Sequence, residues 1–392
     1  LIPVLAEMEL AGIELNTAFL AKFNKKLATE IASLQKQIWE EADEEFNIAS
    51  PAQLATILFD KLQLNKVGVK KGKTGFSTAA AELEKLRDAH PIIPLISEYR
   101  ELTKLQSTYV EALPQLIDKH QRVHTRFNQT IAQTGRLSST DPNLQNIPVR
   151  TEIGREIRKA FVAPKGRVLV SADYSQIELR VAAALSKDPG MIKTFEQGID
   201  LHQQTAAEMF GVPLEKVTKE QRYSAKTINF GVMYGMSPHG LSVATGMKRE
   251  EAVAFIERYF EVRKTLKTYI EGIKEFARKN EYTETLLGRR RPCPEINSGN
   301  FQIRNAAERM AVNVPLQGTA ADIMKLAMIA LAPKLPKGAQ LLLQIHDELI
   351  AECDEAQAKT VAAIMRETME NAYDLGVPIV ADTAIGKSWG EL

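Results

Sequence analysis

The feature that most narrows the possible folds is a pair of apolar runs around an acidic bend near the C-terminus. Leu341-Leu342-Leu343-Gln344-Ile345 and Leu349-Ile350-Ala351-Glu352-Cys353 flank His346-Asp347-Glu348. Short apolar runs on either side of a turn predict a β-hairpin. An aspartate in a turn is ordinary. An Asp-Glu pair between two apolar strands is less so, because sheet packing brings such charges close and they then need partners.

A third strand is predicted at Val168-Leu169-Val170-Ser171-Ala172, launched by Pro164, Lys165 and Gly166 and ending at Asp173. A helix is expected from Ile177 to Leu185. Asp173 therefore has two readings: an N-cap of that helix, or a metal ligand held rigidly by a sheet. Paired carboxylates at strand ends are hard oxygen ligands that suit Mg²⁺, which takes one or two carboxylates together with substrate phosphates. Two such ions about 3.5–4 Å apart serve in-line displacement at phosphorus. That chemistry needs Asp173 and Asp347 in one place although they are far apart in the chain.

A substrate for such a pair is suggested by Arg222-x3-Lys226-x3-Phe230-x3-Tyr234-Gly235, inside a helix expected over Glu220–Tyr234. Steps of four advance about 400° on a helix, so these residues share one face. Cations at one end suit a triphosphate, and rings at the other suit a base and sugar. Taken alone, the same pattern also describes a core stripe with cations on its edge.

Apolar residues at Leu20, Phe23, Leu27, Ile31, Leu34 and Ile38 predict a long amphipathic helix, and Leu95, Tyr99, Leu102, Leu105 and Tyr109 predict a second. The two can pack as an antiparallel hairpin with a compact insert at its tip. That insert carries Lys66, Lys70, Lys71 and Lys73 with no acid between Asn65 and Gly75, either a solvated loop or a phosphate contact. A further helix is expected from Phe301 to Ala330. Asp43-Glu44-Glu45 is read as the surface face of the first long helix.

The whole chain does not advertise a polyanion partner, since 392 residues carry a net charge of only +1. A basic patch must therefore be local. The two cysteines, Cys293 and Cys353, have no zinc-type spacing and fit a reducing cytoplasm. No stretch approaches the roughly 18 uninterrupted apolar residues of a membrane span, so no membrane partner is expected. The start, Leu1-Ile2-Pro3-Val4-Leu5, reads as a cut through a longer protein.

Taken together, these residues resemble family A (DNA polymerase I-type) DNA polymerases. Asp173 to Arg180 is similar to motif A of that family, Arg222 to Gly235 to motif B, and His346-Asp347-Glu348 to motif C. Thr134-Gly135-Arg136-Leu137-Ser138-Ser139 with Asp141 to Pro148 resembles a further signature block. Arg309-x3-Asn313-x3-Gln317-Gly318-Thr319-Ala320-Ala321-Asp322 resembles another. The resemblance runs over essentially the whole chain, in the family's order.

It implies an α+β fold shaped like a right hand, with an antiparallel-sheet palm and helical thumb and fingers. The palm would comprise 1–22, 109–198 and 301–392, the thumb 23–108, and the fingers 199–300 with the motif B helix at 220–235. It implies template-directed addition of deoxynucleoside triphosphates to a primer 3′ end, in replication or repair. Two divalent ions, Mg²⁺ or else Mn²⁺, would be held by Asp173, Asp347 and the backbone carbonyl of Tyr174, with Glu348 an auxiliary carboxylate. Gln176, Glu178, His202, Arg222, Lys226, Phe230 and Tyr234 would meet the nucleotide. Lys226 would be the proton donor to pyrophosphate, and Glu178 the block against a ribose 2′-hydroxyl. Arg136, Asn143, Asn146, Arg309, Asn313, Gln317 and His346 would line primer–template DNA, with Lys70, Lys71 and Lys73 at the thumb tip.

The resemblance further implies a monomer in the cytoplasm of a bacterial or phage-like system, near the nucleoid, with N-terminal exonuclease domains fused in the parent protein. Neither proofreading nor 5′-nuclease activity is expected of this chain. Two departures stand out: Tyr223, where many relatives carry a basic residue, and Arg291-Pro292-Cys293-Pro294, where an aromatic-aliphatic pair is usual. Two other readings remain: a single-subunit RNA polymerase, against which Glu178 and Phe230 argue, and an inactive DNA-binding homologue, against which Asp173, Asp347, Arg222 and Lys226 argue.

Overall fold

The three predicted strands meet in one antiparallel sheet, joined by a fourth that the sequence reading passed over. The computed structural model describes residues 1–72, 75–149 and 151–392. We label the sheet strands β1 (Arg167–Tyr174), β2 (Gln340–Ile345), β3 (Glu348–Asp354) and β4 (Ala381–Gly386), in the spatial order β2-β3-β1-β4. Register places Glu348 on β3 and Asp382 on β4 opposite Asp173 of β1. The interior residues of β1, β2 and β3 are almost all buried. Helix Ala358–Glu370 packs over this sheet, and helix Thr319–Leu331 packs against that helix. Burying apolar strands on both faces is what fixes the sheet, at about 25 cal/mol per Å² of apolar surface.

The acidic bend is tighter than the sequence suggested. Ile345 pairs with Glu348, so only His346 and Asp347 form the turn. His346 sits at φ 54°, a left-handed conformation that two-residue hairpins usually assign to glycine or asparagine. The turn is anchored from outside, because the Tyr174 amide donates to the Asp347 carbonyl at 3.0 Å.

The first long helix spans Thr17–Ala42 and buries all six predicted apolar positions. It ends at Ala42, and Asp43 closes it in a left-handed conformation, so Asp43-Glu44-Glu45 lies beyond the helix rather than on its face. Its partner is Ile92–Leu105, continued by the wide turn Gln106–Glu111. The insert between them has its own small core of Leu54, Leu58, Phe59, Leu83 and neighbours.

The helix expected over Phe301–Ala330 is a longer run, Phe301 to Lys334, interrupted by a π turn at Val314–Gly318. Pro315 explains the interruption: it has no N–H for the helical ladder and its ring crowds the preceding turn. By length and composition alone this run could cross a membrane, with Asn313, Gln317 and Asp322 interrupting its apolar stretches. Yet 72% of its most apolar window is buried inside the protein, as in a core helix. In the chain's first segment, helix Ile2–Ala11 packs against β2 and strand Ile13–Leu15 pairs with Arg122–Val123 and Phe161–Val162.

Candidate active site

Asp173 and Asp347 come together at one end of the sheet. Asp173 is not a helix cap: the N-cap position of Ile177–Ser186 belongs to Gln176, in a left-handed conformation at φ 54°. Asp173 is solvent-accessible at the strand end, yet the surrounding protein still removes much of its hydration. Its carboxyl is pushed up to about 7, first by that desolvation, then by the nearby carboxylates of Glu348, Asp347 and Asp382. Glu348 is also raised by burial, partly offset by Arg158 and by the neighbouring Ser171 and Trp389 side chains.

Carboxylates that crowd one another and hold protons unusually tightly form an anionic cluster short of cations. With the Tyr174 carbonyl on the same strand end, they are the oxygen donors a hard divalent ion selects. Among the described residues no three His, Cys, Asp or Glu side chains close into a ready-made metal cage. An ion such as Mg²⁺ binds through one or two carboxylates and completes its shell with water and substrate oxygens. The donor set fits.

A second layer links this end of the sheet to the helix Lys219–Met233. Glu178, only 7% exposed, accepts from Arg136 Nη2 at 2.6 Å and is contacted by the Tyr234 hydroxyl. Arg136 Nη2 also donates to Asp347 Oδ1 at 3.2 Å, so one guanidinium bridges the two carboxylates. Burial pushes the Glu178 carboxyl up to about 7 despite Arg136. A further bridge runs through Asp200, whose Oδ2 accepts from Gln176 Nε2 at 3.3 Å and from Arg222 Nη2 at 2.6 Å. The helix itself starts at a capping box, Thr218 with Gln221.

Its aromatic end is ordered by ring contacts. His202 is 2% exposed, with its ring centroid 5.6 Å from that of Phe230, and Phe230 stacks on Tyr234 at 6.5 Å. A groove of about 810 Å³ beside the helix is lined by Tyr223, Lys226, Phe230, Tyr234, Met236 and Arg309. Arg222 is absent from that lining, turned instead to Asp200. Tyr223, the departure from the family pattern, is exposed at the outer end of the groove.

The remaining predicted residues lie on several separate elements. Asn143 Oδ1 accepts from the Asn146 amide at 3.2 Å, which is turn chemistry, while Asn146 is exposed. Arg309 is exposed, its side chain packed where a Cβ on Gly235 would come within 3.0 Å. Asn313 keeps a buried Oδ1 with no hydrogen-bond partner among the described residues, and Gln317 lies within the π turn. Lys70 and Lys71 are exposed at the tip of the helical hairpin, Lys71 over the Phe76 ring at 5.6 Å. Lys66 is paired with Asp60 at 3.3 Å, and Lys73 lies outside the described residues.

Sequence reasoning missed Asp382 and Asp200. The apolar run Ile379-Val380-Ala381 leading into Asp382 repeats the strand-to-aspartate pattern of Val170-Ser171-Ala172-Asp173 and would have revealed the first. Asp200 caps the helix Leu201–Phe210, and nothing local separates that role from its contact with Arg222.

Comparison with known proteins decides the family. The sequence profile of DNA polymerase family A matches residues 17–391. The chain belongs to DNA polymerase family A. It is 53% identical to the thermostable DNA polymerase I of Thermus thermophilus over 389 residues, 98% of this chain and 46% of that protein. It is 48% identical to DNA polymerase I of Bacillus subtilis, over 98% of this chain and 44% of the relative. The chain thus spans about half the length of these relatives. The polymerase domain of Pol1 from M. smegmatis, solved with DNA primer-template and dNTP, superposes with a TM-score of 0.93 at 43% identity. That match covers 99% of this chain and 69% of the other. The α+β architecture is therefore the right-hand polymerase fold.

Proposed function

We propose that this chain carries out template-directed DNA synthesis, adding deoxynucleotides to a primer 3′ end. The observation that carries the reading is the double link between the carboxylate end of the sheet and the cation-bearing helix: Glu178 to Tyr234, and Gln176 through Asp200 to Arg222. It joins a place for phosphorus chemistry to a place for a triphosphate and its base. The palm would comprise 1–22, 109–198 and 301–392, the thumb 23–108 and the fingers 199–300.

Asp173, Asp347 and the Tyr174 carbonyl would hold two divalent ions, Mg²⁺ first and Mn²⁺ as a substitute. When bound, such ions lower the pKa of the attacking hydroxyl and stabilise the leaving oxygen. The chain's own residues do the rest. Arg222 exchanges Asp200 for triphosphate oxygens, with His202 beside it. Lys226 gives a proton to departing pyrophosphate. Phe230 packs on the sugar, Tyr234 stacks by the templating base, and Glu178 excludes a 2′-hydroxyl. Arg136, released from Asp347 and Glu178, turns to the primer–template minor groove, where acceptors are shared by all base pairs. Asn143, Asn146, Arg309, Asn313, Gln317 and His346 line the duplex. Lys70 and Lys71 meet backbone phosphates, and their replacement by Ala should reduce the salt slope of DNA binding by about 2.

The protein works as a cytoplasmic monomer, and relatives twice its length fit fused exonuclease domains in a parent chain. The deciding experiment is primer extension with four deoxynucleotides and Mg²⁺ on DNA and RNA templates, with ribonucleotides as control. Extension on DNA template with deoxynucleotides is expected; extension only with ribonucleotides would instead favour the RNA polymerase reading, and none at all the inactive homologue. Glu178→Ala should raise ribonucleotide incorporation roughly tenfold or more, the worth of one lost steric and polar block. An unchanged ratio removes Glu178 from sugar choice.

A further inference from the structure

Behind the candidate site lies a buried chain of polar side chains. Arg263, which is buried, donates from Nη2 to Thr205 Oγ1 at 2.8 Å. Thr205 Oγ1 donates to Asn229 Oδ1 at 3.1 Å, and Asn229 Nδ2 lies 3.0 Å from His202 Nδ1. Arg263 is held in turn by Glu208 at 2.9 Å and by the Tyr259 ring at 4.7 Å. Thr205 and Asn229 are each 0% exposed.

Donor counting gives this chain a direction. A guanidinium can only donate, so Thr205 Oγ1 is an acceptor toward Arg263 and keeps its own proton to give away. Asn229 Oδ1 is the one acceptor it meets among the described residues. That sets the amide so that Nδ2 faces the imidazole. Turning the amide over would make Thr205 accept twice and strand its hydroxyl proton without an acceptor in a sealed interior, which native structures avoid. An amide nitrogen has hydrogens but no free lone pair, so His202 Nδ1 must accept.

We infer that Arg263, Thr205 and Asn229 are positioning residues that hold His202 as its Nε2–H tautomer, aiming a neutral donor at an anionic ligand beside Arg222 and Lys226. Nε2 makes no hydrogen bond among the described residues, so its proton is free for a ligand. Burial, with Arg222 and Lys226 nearby, pulls the ring down to about 4 against the opposing pull of Asp200, so the ring is neutral at neutral pH and carries a single proton. Arg222 and Lys226 thus supply charge, while His202 supplies direction. The tautomer stands on the buried chain alone; only its use on a triphosphate rests on the function proposed above.

The test uses the full chain with ¹⁵N-labelled histidine rings, free of nucleotide, the His202 signals being assigned by their loss in His202→Gln. At neutral pH the proton should sit on Nε2, with Nδ1 resonating as an unprotonated acceptor. A proton on Nδ1, or an even mixture, overturns the inference. The tautomer is read in the wild type, and should His202→Gln fail to fold, replacing each of the other five histidines in turn assigns the His202 signals by elimination. Thr205→Val should mix the tautomers and raise KM for deoxynucleotide about tenfold with kcat little changed, the effect of one lost hydrogen bond in the chain, and Thr205→Ser should restore both. Tautomers left unmixed in a folded Thr205→Val protein overturn the role of the chain. A mixed tautomer with unchanged KM supports the chain and removes His202 from the nucleotide contacts, a failure of the proposed function instead.

Discussion

The two ends of the central sheet treat charge in opposite ways. At one end Glu352, 2% exposed, is clasped by Arg122 at 2.9 Å and Arg167 at 2.8 Å, and Arg167 also reaches Asp354 at 2.8 Å. At the other, Asp173, Asp347, Glu348 and Asp382 gather with Arg136 touching Asp347 at 3.2 Å and Arg158 near Glu348. The same strands, β1 and β3, carry both. One end is neutralised by the chain itself. The other is left in deficit, and a deficit at a solvent-accessible strand end invites cations from outside.

The sharpest way to break this contrast is to remove carboxylates from the deficient end. Asp173→Ala or Asp347→Ala should cut nucleotide addition by on the order of a thousandfold or more, because several kcal/mol of transition-state charge stabilisation is lost. Primer–template binding, followed by fluorescence anisotropy, should survive and folding stability should hold or rise. Near-normal extension would remove these residues from the chemistry.

The converse change, Arg122→Met with Arg167→Met, should cost about 3 kcal/mol of stability, since Glu352 would be left buried without a partner. Urea denaturation measures the loss, and kcat per folded molecule should stay close to wild type. A large loss of kcat with intact stability would erase the distinction between the ends.

Smaller effects sharpen the comparison. Mg²⁺ at about five times its dissociation constant should stabilise the wild type by about 1 kcal/mol at pH 8, and by much less in Asp173→Asn, read as the shift in thermal midpoint. Without divalent ions the folded Asp173 carboxyl holds its proton to about pH 7, above its ordinary value of 3.8. Its contribution to stability is then fully present below about pH 4 and is lost as pH rises to about 7. Solvent reaches this group, so the loss is a few tenths to about 1 kcal/mol. Denaturation midpoints against pH should slope less in Asp173→Asn.

What could be read from the chain beforehand follows the range of the forces involved. The stripe from Leu20 to Ile38 and the strands around His346-Asp347 announce themselves because burial has a period, and period is local. The pairing of Asp173 with Asp347 needed the ordered motifs, since no local signal carries a distance between remote residues. Asp382 escaped because its strand is half-exposed and its alternation weak. The Asp200–Arg222 pair and the Arg263–Thr205–Asn229 chain escaped for a different reason. Each residue there has an ordinary local role, and only tertiary packing gives it a second one.

The π turn at Val314–Gly318 also has a bearing on how a straight ligand could be read. Four residues of an α-helix overshoot a full circle by about 40°, so a series spaced by four winds slowly around its axis. A turn bonded from i to i+5 holds more residues per revolution, and four of them fall short of a circle. One such turn between Asn313 and Gln317 cancels the overshoot accumulated between Arg309 and Asn313. Three polar side chains are thereby returned toward a single line along a helix that would otherwise have spiralled them apart. Pro315 is in this sense a ruler's correction mark: removing it should restore a regular helix and rotate Gln317 away from the row.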